Sequence, residues 1–257
     1  MAAPMEQFEI HKVVPLPTIG GFDLSITNTT LAMFGAAAVI CGFFAFAFRT
    51  RAVVPGRTQA AGEMLFELVD DLAASIIGEA EARPYFPLVF TLFAFIMTMN
   101  ILGMFLVIPT ATSQLAVTAT LALMTFFIVI AVGVIKNGLG FFKLFAPSGV
   151  PWYLLFLMIP IEIISFLVRP LTLALRLFGN MIGGHVVLNI FGSFVVSLAL
   201  LALGGGLATL GWAVSALSLG SVVALIGLEF IVGFLQAFVF AALTCVYLND
   251  VVNLHHH

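Results

Sequence analysis

A guanidinium stands at position 176 in the stretch LALRLFGNM, and along the chain no acidic residue lies nearer to it than Glu162. Arginine keeps its proton inside a protein. A charge at the centre of a membrane helix costs about 2.5–3.5 kcal/mol on insertion scales. A chain that carries this cost is expected to use the charge, because charges at such depth mark ion or proton pathways. The competing reading is a structural charge that snorkels or pairs within a bundle. Glu162, Arg169 and Arg176 are spaced seven apart, which rotates a helical position by only about 20° per step. Asn180 and Gly183 continue that stripe. His185 falls roughly 180° around the helix from Arg176 and about 13.5 Å further along it, where it leads a second stripe with Asn189 and Ser193. In a later apolar run, Glu229 and Gln236 are also seven apart and share a face. Antiparallel packing of the two runs would level Gln236 with Arg176 and Glu229 with His185. A buried carboxylate beside an imidazole can exchange a proton near neutral pH.

The elements that position these residues are membrane helices. Of 257 residues, 62% are hydrophobic and 8% charged, with a net charge of −3. Soluble domains carry about 25% charged residues, and nothing here resembles a basic nucleic-acid face. Cys41 and Cys245 both lie in apolar runs and give neither a disulfide framework nor metal-ligand spacing. Residues 1–30 read as a polar leader without a cleavable signal. The triplet Asn28-Thr29-Thr30 matches a glycosylation acceptor by chance beside a span. Leu31–Phe48 is long enough to cross a membrane. The following Arg49, Arg51 and Arg57, together with Lys136 and Lys143 in a later loop, put both loops inside and the N-terminus outside.

Residues 62–82 predict an amphipathic surface helix, with Leu65, Leu68, Leu72 and Ile76 on one face and Glu63, Glu67, Asp70 and Asp71 on others. Spans are expected at Phe86–Ile108 and Gln114–Ile135. Residues 152–200 then form one helical run interrupted only by Pro160 and Pro170, far longer than a bilayer of about 30 Å requires. It must tilt, bend or lie partly in the membrane plane. Gly204-Gly205-Gly206 and Gly211 suggest a hairpin tip before a second over-long run, 213–248. The expected fold is all-α, a polytopic membrane protein of about five to six hydrophobic helices with the last two long, tilted and paired. Its parts are the leader 1–30, the spans and surface helix of 31–151, the long hairpin 152–250 and a tail 251–257.

The segment LRLFGNMIGGH, followed some fifty residues later by LQAFVFAALTCVYL, resembles the subunit a family of F-type ATP synthases. The similarity is strong from about Ile159 to Leu248 and mainly topological before that, although Asn100 in MTMNILGM also fits the pattern. The resemblance implies a proton-channel stator in the bacterial inner membrane. In that family the arginine faces a rotor ring of c subunits, and two aqueous half-channels reach the interface from opposite sides. That role would fall on Arg176, with Asn180 beside it and Gln236 on the facing helix. Glu162 would belong to the inner half-channel, and His185 with Glu229 to the outer one. Some bacterial members carry that pair in the reverse order. The implied partners are the c-ring, b-type subunits of the peripheral stalk, lipid and protons. No cofactor or metal is implied, and the sequence carries no P-loop for a nucleotide.

Other assignments stay open. Arg169, beside Pro170, could form a structural ion pair with Glu162 or take part in transport. Asn189 and Ser193 are candidates for lining water or for ordinary helix surface. The terminal His255–His257 run is left out of metal chemistry. An intramembrane serine protease using Ser193 and His185 is disfavoured, because eight residues on one helix separate them by about 12 Å. A secondary transporter should show internal repeats and matching broken helices, and the chain shows neither.

Overall fold

The computed structural model describes residues 12–14, 25–49, 55–104, 111–145, 152–203 and 208–253. The leader is not wholly irregular. Strand β1 (Lys12–Val14) pairs antiparallel with β2 (Ile26–Thr27), a pairing that a polar, Pro-containing leader does not announce. Thr27 then caps α1 (Asn28–Ala47): its backbone is extended and its hydroxyl accepts from the Thr30 amide at 3.3 Å. The first span therefore starts three residues before the apolar run does.

Helix α2 (Arg57–Ile77) begins five residues before the amphipathic pattern expected at 62–82 and does not run to its end. Gly78, at φ +105, breaks it, and a short α3 (Glu79–Ala82) follows. Only glycine adopts that backbone cheaply. The expected face Leu65, Leu68, Leu72 and Ile76 is half-buried against the core, the fully buried positions are the neighbouring Val69, Ala73 and Ile77, and Glu67, Asp70 and Asp71 face out. Helix α4 (Phe86–Gly103) carries Pro87 in its first turn, where no amide donor is needed. Helix α5 (Leu115–Asn137) is preceded by a 3-10 turn at Ala111–Ser113 and followed by a second at Gly138–Leu144. The end of the second expected span, 105–108, lies outside the described residues.

Helices α6 (Trp152–Leu203) and α7 (Ala208–Val252) have 52 and 45 residues. At about 1.5 Å per residue, α6 is nearly 80 Å long. Pro160 and Pro170 remove two amide donors from it without ending it. The Gly204–Gly206 part of the expected tip lies outside the described residues, whereas Gly211 falls inside α7. Five helices among the described residues are long and apolar enough to cross a membrane: α1, α4, α5, α6 and α7. The fold is all-α and polytopic, as expected.

The core lies on the half of the α6–α7 pair nearer the start of α6 and the end of α7. Leu173 and Leu177 of α6, Phe240 and Leu248 of α7, and Phe93 and Ile96 of α4 are almost fully buried together. Helix α7 packs against α2, α4 and α5 as well as α6. Gly133 is where α5 passes closest, since an added Cβ would lie 2.7 Å from the Phe141 ring and 3.2 Å from Val251. Toward the outer tip the pair loses its cover. Leu217 and Val223 are 72% and 64% exposed.

Candidate functional site

Opposite chain directions decide which side chains of α6 and α7 can meet. Side chains on a helix lean toward its N-terminus. In an antiparallel pair, residues somewhat past each other therefore lean together. Two polar side-chain pairs join the helices, one on either side of the level of Arg176, and the Arg169–Asp250 pair is the one that follows this rule.

The first contact is His185 Nε2 to Glu229 Oε1, 3.8 Å apart, with only 3% and 9% of the side chains exposed. At this distance the two groups are in contact without a hydrogen bond, and they form an ion pair only when the imidazole is protonated. Gly184 makes room for the carboxyl, because a Cβ there would lie 2.6 Å from Glu229 Oε1. The imidazole also hydrogen-bonds the backbone of Gly103, at the end of α4. One turn back along α4, Asn100 is fully buried, and its Nδ2 donates to the Gly233 carbonyl at 2.9 Å. Gly233 permits the approach, with an added Cβ meeting Asn100 Cβ at 3.4 Å. One turn of α4 thus touches both long helices.

The second contact involves Arg169, for which an ion pair with Glu162 and a part in transport were both left open by the sequence. Arg169 does not pair with Glu162: its Nη1 donates to Asp250 Oδ2 at 2.6 Å. The guanidinium also lies 5.1 Å from the Tyr247 ring centre and 5.9 Å from that of Phe166. Arg169 leans back along α6 and Asp250 leans back along α7, so the two converge across the pair. Glu162, on the same stripe, is left half-buried without Arg169. Asp250 and Tyr247 carried no weight in the sequence. The lean of antiparallel side chains was the signal that could have found them.

Between the two contacts lies Arg176, close to the midpoint of α6 and exposed on the surface of the chain. Among the described residues no ion pair or hydrogen bond reaches its guanidinium, and Tyr247 is its one recorded electrostatic neighbour. Gly179 and Gly183 flank it on the outer side, with open space where a Cβ would be. Asn180 is half-buried beside it, and Gln236 is buried at 7% exposure on α7. Asn189 is half-buried on the far side of α6. Ser193 is exposed and donates its hydroxyl to the Ile190 carbonyl of its own helix at 2.7 Å. His185 faces Glu229 instead, so the two residues of a protease dyad are turned apart.

The arrangement is an exposed cation near the middle of α6, with a buried carboxyl–imidazole pair on one side and an ion-paired arginine on the other. The family model for the ATP synthase A chain matches residues 30–249. A protein of Allorhizobium ampelinum called ATP synthase subunit a is 48% identical over 97% of this chain and 97% of its own. Proteins of the same name from Mesorhizobium japonicum and Hyphomonas neptunium are 46% and 47% identical, over 98% and 99% of this chain and 97% of their own lengths. The match extends well before Ile159, beyond the stretch in which the motifs are dense. With the hairpin, the exposed arginine and matches of this extent agreeing, the chain belongs to the ATP synthase A chain family.

Proposed function

We propose that Arg176 is the fixed cation against which the rotor of an F-type ATP synthase turns, and that the chain translocates protons past it. The observation that carries this reading is an exposed guanidinium near the middle of α6 without a counter-ion among the described residues. Facing lipid alone it would be costly. Facing a carboxylate on a c-ring subunit it would be compensated, and the bare surface at Gly179 and Gly183 allows a helix to approach closely.

Protons enter from the outer side past Glu229 and His185 and neutralise a rotor carboxylate. The uncharged acid then turns through lipid and releases its proton near Glu162. Arg176 holds the ionised carboxylate and keeps the two half-channels apart, with Asn180 and Gln236 shaping its surroundings. Each charge crossing 100 mV is worth about 2.3 kcal/mol, which several protons per turn deliver to ATP synthesis elsewhere in the complex. The acidic face of α2, on the inner side, is suited to the peripheral stalk.

The test is ATP-driven proton pumping in membranes that carry the assembled complex, comparing the native chain with Arg176→Ala. Pumping is expected to vanish while c-ring and stalk remain assembled. Normal pumping by Arg176→Ala would reduce the arginine to a structural role.

A further inference from the structure

Two arginines stand on one stripe of α6, seven residues and about 10.5 Å of helix axis apart, and the fold treats them oppositely. Arg176 is exposed, and among the described residues no ion pair or hydrogen bond reaches it. Arg169 is held on three sides. Its Nη1 donates to Asp250 Oδ2 at 2.6 Å, and its guanidinium carbon lies 5.1 Å from the Tyr247 ring centre and 5.9 Å from that of Phe166. Tyr247 and Asp250 are three residues apart and so share a face of α7. Tyr247 is also an electrostatic neighbour of both arginines, which puts the two charges in one neighbourhood. A quarter of the Arg169 side chain stays exposed, 26%, so without Asp250 its charge would be open to an adjacent chain.

We propose that Asp250 masks Arg169, so that a rotor carboxylate meets one bare cation, Arg176, and is not captured by a second one two turns along the same stripe. This deepens the proton-path reading given above and rests on it. An ionised carboxylate is attracted by any open cation on the face it passes. Two open cations would give it two resting places about 10.5 Å apart along the axis, and the one at Arg169 would hold it away from the level of Arg176. With Asp250 in place, the Arg169 charge is compensated inside the chain and only one resting place remains. Glu162, the other acid on the stripe, lies about 10.5 Å beyond Arg169 along the axis and is not its partner. The masking thus needs an anion at position 250, and the shape of the side chain there is secondary.

Masking and simple bracing of the two helices predict different patterns. Asp250→Asn and Arg169→Gln each break the same pair, but only the first leaves an open cation. ATP-driven pumping and ATP hydrolysis are measured on the same membranes and divided by the amount of assembled c-ring and stalk. The native chain is compared with both single variants, the double variant and Asp250→Glu. Asp250→Asn is expected to lower pumping and hydrolysis together by about tenfold or more, because a captured carboxylate stops the rotor and opposite charges about 4 Å apart near a protein surface attract by more than that factor. Arg169→Gln, Asp250→Glu and the double variant are expected to stay within about threefold of native, the scale of a partly exposed ion pair. Should Asp250→Asn fail to assemble, Asp250→Ser and its own double variant with Arg169→Gln take its place. Native rates in Asp250→Asn, equal losses in the two single variants, no recovery in the double variant, or lost pumping with continued hydrolysis would each overturn the proposal. Normal pumping by Arg176→Ala, run alongside, would show instead that the underlying proton-path reading had failed.

Discussion

At the scale of single residues, room matters as much as charge. Gly184 has no chemistry, yet the Glu229 carboxyl occupies the space its missing Cβ would fill, 2.6 Å from Oε1. In Gly184→Ala the far end of a flexible glutamate must move, so stability should change by less than about 1 kcal/mol, a surface-like effect. The carboxyl, however, would leave its position 3.8 Å from His185. Pumping per assembled complex is expected to fall about tenfold, since a misplacement of about 1 Å at a reacting group can cost more than that. Thermal melting and pumping measured on the same preparation check this, and a parallel loss of both would point to simple destabilisation. Gly184 and His185 were visible in the motif LFGNMIGGH. That the glycine serves the carboxyl of another helix was not, because a steric gap has no signature in one sequence.

Between elements, the inner end of α7 is tied on three sides. Asn137 of α5 donates to the Val251 carbonyl, Asn253 donates to the Ile77 carbonyl at the end of α2, and Arg169 of α6 pairs with Asp250. The two asparagine bonds satisfy carbonyls that a helix end leaves free, and that of Asn253 joins the hairpin to the amphipathic helix. The Arg169–Asp250 side chains are 26% and 29% exposed. Removing one partner, as in Asp250→Asn, should therefore cost about 1–2 kcal/mol, below the 3–5 kcal/mol of a fully buried pair because water screens what remains. The exchange Arg169→Asp with Asp250→Arg should recover a large part of that loss. Unfolding of the detergent-extracted chain in a double-mutant cycle gives the coupling, and strict additivity would show that the pair contributes nothing.

For the whole molecule, the exposed surface is that of a protein designed for lipid and for neighbours, not for water. Phe156 is 87% exposed and Ile135 85%. Arg57 and Lys136 sit at helix ends on one side of the bundle, and the β1–β2 pair precedes α1 at its other end. The positive-inside rule predicts that the strands lie outside. A cysteine at position 25, in a chain whose native cysteines are replaced, should react with a membrane-impermeant maleimide on intact cells. A cysteine at position 136 should react only in inverted vesicles. The reverse pattern would invert the topology and exchange the inner and outer ends of the proposed proton route.

The sequence by itself determined that this is a helical membrane protein with about five to six long apolar spans, and that Arg176 stands far from any acid along the chain. These properties are local: hydropathy, seven-residue spacing and loop charge are all written within one helix length. The levelling of His185 with Glu229 was also accessible, since an antiparallel hairpin of two regular helices has a register that can be counted. Only the tertiary structure decided that Arg169 takes Asp250 rather than Glu162, that Asn100 grips Gly233, and that Gly184 houses a carboxyl. Each of these depends on the rotation and lean of one helix against another. Close packing between chain segments sets these to within an ångström, and no spacing along a single segment records them.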